Sequence, residues 1–119
     1  MTEPRLTTHV LDLTRGLPAA GLGVTLSRLR ADGRDTCCAV VTNADGRTDA
    51  PLLEGAALGP GRYELEFAVG AYFAGRADGD GAEPYLDVVP IRFGVGPDVV
   101  HLHVALLVTP WAYSTYRGS

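Results

Sequence analysis

Val99-Val100-His101-Leu102-His103-Val104-Ala105-Leu106-Leu107-Val108 alternates at a period of two, the repeat of a β-strand. Val100, Leu102, Val104, Leu106 and Val108 fall on one face, which is wholly apolar and is expected to form the interior of a sandwich. His101, His103 and Ala105 share the opposite face with Val99 and Leu107. An outer face that mixes histidines with aliphatic residues implies partial cover by another subunit.

A second strand, Leu6 to Leu13, repeats the arrangement with Leu6, Thr8 and Val10 inward and Thr7, His9 and Leu11 outward. All three histidines of the chain are therefore expected to point away from the core. Between these strands, Arg62 to Val69 gives the cleanest alternation: Tyr63, Leu65, Phe67 and Val69 against Arg62, Glu64, Glu66 and Ala68. Val24 to Arg30, Cys37 to Thr42 and Val88 to Phe93 complete the expected strands. The 15 glycines and 8 prolines punctuate these short runs, the pattern of an all-β sandwich or barrel. Asn43-Ala44-Asp45-Gly46 and Gly59-Pro60-Gly61 read as tight turns. One short helix is expected over Gly70 to Arg76. Ala77 to Pro84 follows as a solvated loop, because Asp78-Gly79-Asp80-Gly81 lacks the further oxygen ligands of a calcium-binding loop.

The 119 residues make a single domain, 1–119, and 46% hydrophobic residues supply a core without help from disulfides or metal. A net charge of -4 with scattered basic residues argues against a nucleic-acid partner. No apolar run reaches the ~20 residues of a membrane span, and the first residues lack the apolar region of a signal peptide. The two cysteines, Cys37 and Cys38, are adjacent; strand neighbours point to opposite faces, so two reduced thiols and a cytoplasmic location are expected.

Three readings of the outward histidines stand side by side. His101-x-His103 with His9 could ligate zinc. Neutral imidazoles could move protons near neutral pH. Or the three could be incidental surface residues.

The tail Tyr113-Ser114-Thr115-Tyr116-Arg117-Gly118-Ser119 resembles the C-terminal signature of the 5-hydroxyisourate hydrolases, transthyretin-like enzymes of urate breakdown. Other segments agree in order: Thr8-His9-Val10-Leu11-Asp12 with Gly16-Leu17-Pro18-Ala19-Ala20, then Thr42-Asn43-Ala44-Asp45-Gly46-Arg47, Gly61-Arg62-Tyr63, Gly70-Ala71-Tyr72-Phe73 and His101-Leu102-His103-Val104. The chain departs from the family at Ala105, where proline is common, and at Trp111-Ala112, where Tyr-Gly is common. The stretch 76–84 looks longer and richer in glycine.

The resemblance implies an all-β, transthyretin-like (prealbumin-type) β-sandwich of about seven to eight strands with one short helix. It implies hydrolysis of 5-hydroxyisourate to 2-oxo-4-hydroxy-4-carboxy-5-ureidoimidazoline, a cyclic-amide opening that uses neither metal nor organic cofactor. His9, Arg47, His103 and Ser119 would be catalytic: the histidines activate water and move protons, and Arg47 polarises the carbonyl. Tyr116, Arg117, Gly118 and Ser119 would line the substrate pocket, with an anchoring ion pair as the competing role of Arg117. The resemblance also implies a homotetramer, a dimer of dimers with its sites between subunits. The rival it leaves is a transthyretin-like carrier that binds a small planar ligand without turnover; a zinc hydrolase through His9, His101 and His103 is the more distant one.

Overall fold

The computed structural model describes residues 3–76 and 83–118. Among these residues, nine strands, one α-helix and one 3-10 turn follow in the order β1 (Arg5–Asp12), β2 (Leu17–Pro18), β3 (Gly23–Arg30), β4 (Gly33–Val41), β5 (Leu53–Glu54), the turn Gly55–Ala57, β6 (Gly61–Ala68), α1 (Val69–Ala74), β7 (Val88–Val95), β8 (His101–Val108) and β9 (Tyr113–Gly118). They form two sheets. One runs β2-β1-β8-β9, with β5 also on β1; the other runs β4-β3-β6-β7. The sheets face each other across Leu6, Val10, Leu102, Val104, Leu106 and Val108 on one side and Val24, Leu26, Tyr63, Leu65 and Phe67 on the other. Fully burying a side chain of this size stabilises the fold by roughly 1.5–3 kcal/mol, so the alternating inner faces supply the main cohesion.

β6 carries the inner set expected from its alternation, with Tyr63, Leu65 and Phe67 at 0% exposure, while Val69 passes into the helix. Its outer face departs from a simple wet surface. Glu64 is only 2% exposed, because Arg34 from β4 and Arg92 from β7 close over it. The hydrogen bond from Arg92 leads the effects that hold the Glu64 carboxyl below its usual range, against the opposing cost of burial.

Several boundaries move for local reasons. β4 starts at Gly33, not near Cys37, because the β3–β4 hairpin stays paired to Arg30↔Gly33. Its register slips by one residue beside Leu26 and Ser27, a bulge that leaves Cys37 without a partner on β3. Both thiols are free, Cys37 exposed and Cys38 half-buried. β8 starts at His101, so Val100 stays outside the core at 53% exposure. The tail segment Tyr113–Gly118, expected only as a pocket lining, is a full strand that pairs antiparallel with β8. The Asp78 to Gly81 stretch lies outside the described residues, and among the described residues no helix is long and apolar enough to cross a membrane.

What matters most for the site is the pairing of β1 with β8. These strands lie parallel over their whole lengths, from Arg5↔His101 to Asp12↔Val108. The far end of β1 is anchored by Asp12, which is fully buried. Its carboxylate accepts hydrogen bonds from Thr14 N (2.9 Å) and Thr14 Oγ1 (2.5 Å) and from the hydroxyl of Tyr72 on α1 (2.8 Å). Although burial pushes the Asp12 carboxyl up, these bonds and Arg15 outweigh it and hold the group ionised. Thr8 adds an inner cross-link, donating to Val104 O at 2.7 Å.

Candidate active site

Residues paired across a sheet share a face, so the register alone assembles the outer surface of the first sheet. His9 bridges Arg47 on one side and pairs with Ala105 on the other, and Ala105 pairs with Tyr116. One step along the strands, Thr7 pairs with His103, and His103 with Gly118. A third row holds Arg5 and His101. Three adjacent rows thus carry all the histidines of the chain. The His9 and His103 ring centroids lie 6.5 Å apart, and those of His101 and His103 lie 6.1 Å apart.

Arg47 reaches this surface through a rigid turn. Asn43 Oδ1 accepts from the backbone N of Asp45 (2.9 Å) and of Arg47 (3.2 Å), and Asn43 N donates to Arg47 O (2.8 Å). Gly46 takes a positive φ of 73°, and its carbonyl accepts from Val10 N at 2.8 Å, which docks the turn on β1. A Cβ at Gly46 would come within 2.3 Å of Val10 O, so only glycine permits that approach. Beside the turn lies a cavity of 420 Å³ lined by Arg5, Thr7, Arg47, Asp49, His101 and His103, among others.

The hydrogen bonds fix what each imidazole can do. His9 Nε2 lies 2.9 Å from the carbonyl of Asp45. A carbonyl only accepts, so Nε2 carries the proton and neutral His9 keeps its lone pair on Nδ1. Thr7 Oγ1 stands 2.7 Å from His103 Nδ1 and 2.9 Å from His101 Nε2. Burial, followed by the Arg47 charge and the neighbouring imidazoles, pushes the His103 pKa below its ordinary value. Burial and Arg47 lower that of His9 as well, against the bond to Asp45 O and the Asp45 charge. Both rings are thus favoured in the neutral form near pH 7, with lone pairs available, beside the Arg47 guanidinium. Such a set can deprotonate water and stabilise a developing oxyanion.

The tail residues divide between the two faces. Tyr116 lies in the row of His9, 56% exposed. Gly118 lies under His103: a Cβ there would sit 2.6 Å from His103 Cδ2. Arg117 pairs with Val104, on the inner side, and lines a separate 720 Å³ cavity at the open edge between β7 and β9. Ser119 lies outside the described residues. Among the described residues, no three His, Cys, Asp or Glu side chains are grouped to hold a metal ion. Sequence reasoning missed Thr7, whose outward position was read correctly but whose hydroxyl drew no attention; its pairing with His103 is visible only once the parallel register is known.

The family model for the HIUase/Transthyretin family matches residues 6–118. The chain belongs to that family. A 5-hydroxyisourate hydrolase of Deinococcus radiodurans is 55% identical over 120 residues, covering 98% of this chain and 98% of that protein. Among solved structures, Klebsiella pneumoniae 5-hydroxyisourate hydrolase is 40% identical with a TM-score of 0.79, over 98% of this chain and 99% of that one. An (S)-allantoin synthase structure superposes with a TM-score of 0.90 at 43% identity over 99% of this chain. This chain spans 44% of that protein's length. The transthyretin-like sandwich expected from the tail and strand motifs is therefore the family's own fold.

Proposed function

We propose that this protein hydrolyses 5-hydroxyisourate, opening its six-membered ring to 2-oxo-4-hydroxy-4-carboxy-5-ureidoimidazoline. The observation that carries the reading is the meeting of His9, Arg47 and His103 on one face, from three distant segments, in a chain 55% identical to a hydrolase of that name. A neutral imidazole takes a proton from water, and the oxygen attacks the ring carbonyl. Arg47 offers planar donors to the oxyanion that forms. Collapse breaks the C–N bond as the leaving nitrogen takes a proton from an imidazolium. Tyr116 sits where it can flank a flat ring, and Gly118 leaves room for His103. The family motif assigns Ser119, through its hydroxyl or its carboxylate, the task of holding water or substrate. Arg117 lies on the other side of β9 from Tyr116 and Gly118, toward the edge cavity, which favours a structural role over contact with substrate.

The working unit in this reading is a homotetramer, a dimer of dimers. Thr7, His9, His101, His103 and Leu107 are only half-covered in the single chain, and an open strand face gives a substrate no enclosing wall. A second subunit laid over that face supplies the missing wall.

The test is direct. Urate oxidase generates 5-hydroxyisourate from urate, and its ultraviolet absorbance is followed with and without the protein. Accelerated decay that survives EDTA and disappears in His103→Ala supports the hydrolase. Decay at the spontaneous rate, with binding of a planar ligand, would replace it with the carrier reading.

A further inference from the structure

We propose that Thr7 is a positioning residue for this reaction: its one hydroxyl links His103 to His101 and fixes which His103 nitrogen is free to act. The inference rests on the hydrolase reading and adds to it a role for two residues, Thr7 and His101. Its basis is proton counting. Thr7 Oγ1 contacts His103 Nδ1 and His101 Nε2 at hydrogen-bonding distance, but a hydroxyl has a single proton. It donates to one ring and accepts from the other. Both contacts are satisfied only when one of the two facing nitrogens bears a proton and the other does not.

Of the two arrangements, one readies the site for attack. Thr7 donates to His101 Nε2 and accepts from His103 Nδ1–H, which leaves His103 Nε2 as a bare base. No described residue bonds to that nitrogen, and the ring borders the 420 Å³ cavity. The backbone holds the geometry: Thr7 is level with His103 in the parallel ladder, and Gly118 seats the ring from its other side.

The same chain of bonds moves charge during turnover. An O–H bond of water breaks, its proton joins His103 Nε2, and its oxygen bonds to the ring carbonyl carbon. His103 then passes its Nδ1 proton to Thr7 as Thr7 passes its own to His101 Nε2. The positive charge now rests on His101, in the row of Arg5. When the C–N bond breaks, the nitrogen takes the Nε2 proton of His103, and the relay runs back through Thr7. The starting state is restored with no outside donor or acceptor. The other charged groups around this relay are Arg5 and His9 on β1, Arg47 and Asp45 on the docked turn, and Asp49 beside the cavity.

Three variants and one spectrum test it. Thr7→Val keeps the branched shape and deletes the hydroxyl; kcat is expected to fall ~10–100-fold with KM changed less than about two-fold. Thr7→Ser restores the hydroxyl and is expected to stay within about three-fold of the parent. His101→Gln can bond the hydroxyl but cannot hold the proton, and an intermediate loss of ~3–10-fold is expected. Nitrogen-15 NMR of the ring nitrogens should show His103 protonated on Nδ1 at neutral pH in the parent and Thr7→Ser proteins, and a mixture of tautomers in folded Thr7→Val. Parental kcat in Thr7→Val, or His103 protonated on Nε2 in the parent, overturns the positioning role; parental kcat in His101→Gln overturns the proton store. If the parent protein itself fails to accelerate decay of 5-hydroxyisourate, the hydrolase reading falls, and the NMR result alone decides whether Thr7 sets the tautomer.

Discussion

Gly118 and His103 are paired across β8 and β9 so closely that the glycine has no room for a side chain; a Cβ would meet the imidazole at 2.6 Å from Cδ2, 3.2 Å from Cγ and 3.4 Å from Cβ. Because those atoms belong to a ring held by Thr7, they cannot swing aside without breaking that bond. Gly118→Ala should therefore lower kcat by ~10–100-fold through a displaced His103, with little change in melting temperature because the strand is an edge. Activity within two-fold of the parent would show that the ring tolerates displacement.

The pH dependence follows from the direction of the histidine shifts. In the proposed mechanism His103 and His9 act as neutral groups, and burial with Arg47 places both pKa values below the ordinary histidine value of about 6.5. Activity should therefore fall on the acid side with its half-point below pH 6.5. A kcat/KM profile that already falls by half at pH 7 would contradict this.

In the proposed mechanism Arg47 contributes twice, to the oxyanion and to the neutrality of the imidazoles. Arg47→Ala should lower kcat/KM by roughly 10²-fold, the scale of a lost oxyanion donor. It should also raise the acid limb, because removing the guanidinium removes a cause of the lowered His103 pKa. Loss of rate without movement of that limb would confine Arg47 to substrate.

Away from the site, Glu64 is a buried carboxylate held by Arg34 and Arg92. Glu64→Gln should destabilise the fold by about 1–2 kcal/mol, less than the ~3–5 kcal/mol of a fully desolvated pair because both guanidiniums reach solvent. The folded-state pKa of Glu64 is lowered, so its stabilising effect is present above the ordinary carboxylate range and is lost as the pH falls through the folded value. Urea denaturation at neutral pH and in acid measures both; equal stabilities at both pH values would refute the linkage.

Assembly gives a further check. Dilution that takes the proposed tetramer to monomers should abolish specific activity, since in one chain the outer strand face carrying the histidines stays half-covered. Constant specific activity across the dissociation range would place the complete site within a single chain.

The period-two alternation made the inner faces of β1, β6 and β8 legible in advance, because a half-buried strand writes its burial into every second residue. It also placed His9 and His103 on outer faces. What it could not give was which strands are neighbours. Thr7 and His103 meet through a parallel pairing across 96 positions of sequence, and no local pattern encodes such a partner. Glu64 and Val100 mark the other limit: alternation predicts a direction, while burial depends on what the neighbouring strand supplies, two arginines over Glu64 and, among the described residues, too little over Val100 to hide it. The tail was recognised through its family motif, yet its strand character, and with it the inward side of Arg117, emerged only from the ladder with β8.

The parallel ladder of β1 and β8 also bears on how the protein is made. During synthesis β1 appears long before its principal partner, and until β8 arrives one whole edge of β1 presents unpaired backbone groups beside apolar Leu6 and Val10. Such an edge is a template for pairing with other chains. A chain that has not yet gained β8 is thus expected to be prone to clump. Any return of turnover after denaturation reports the closing of the last ladder, not the recovery of an early fragment.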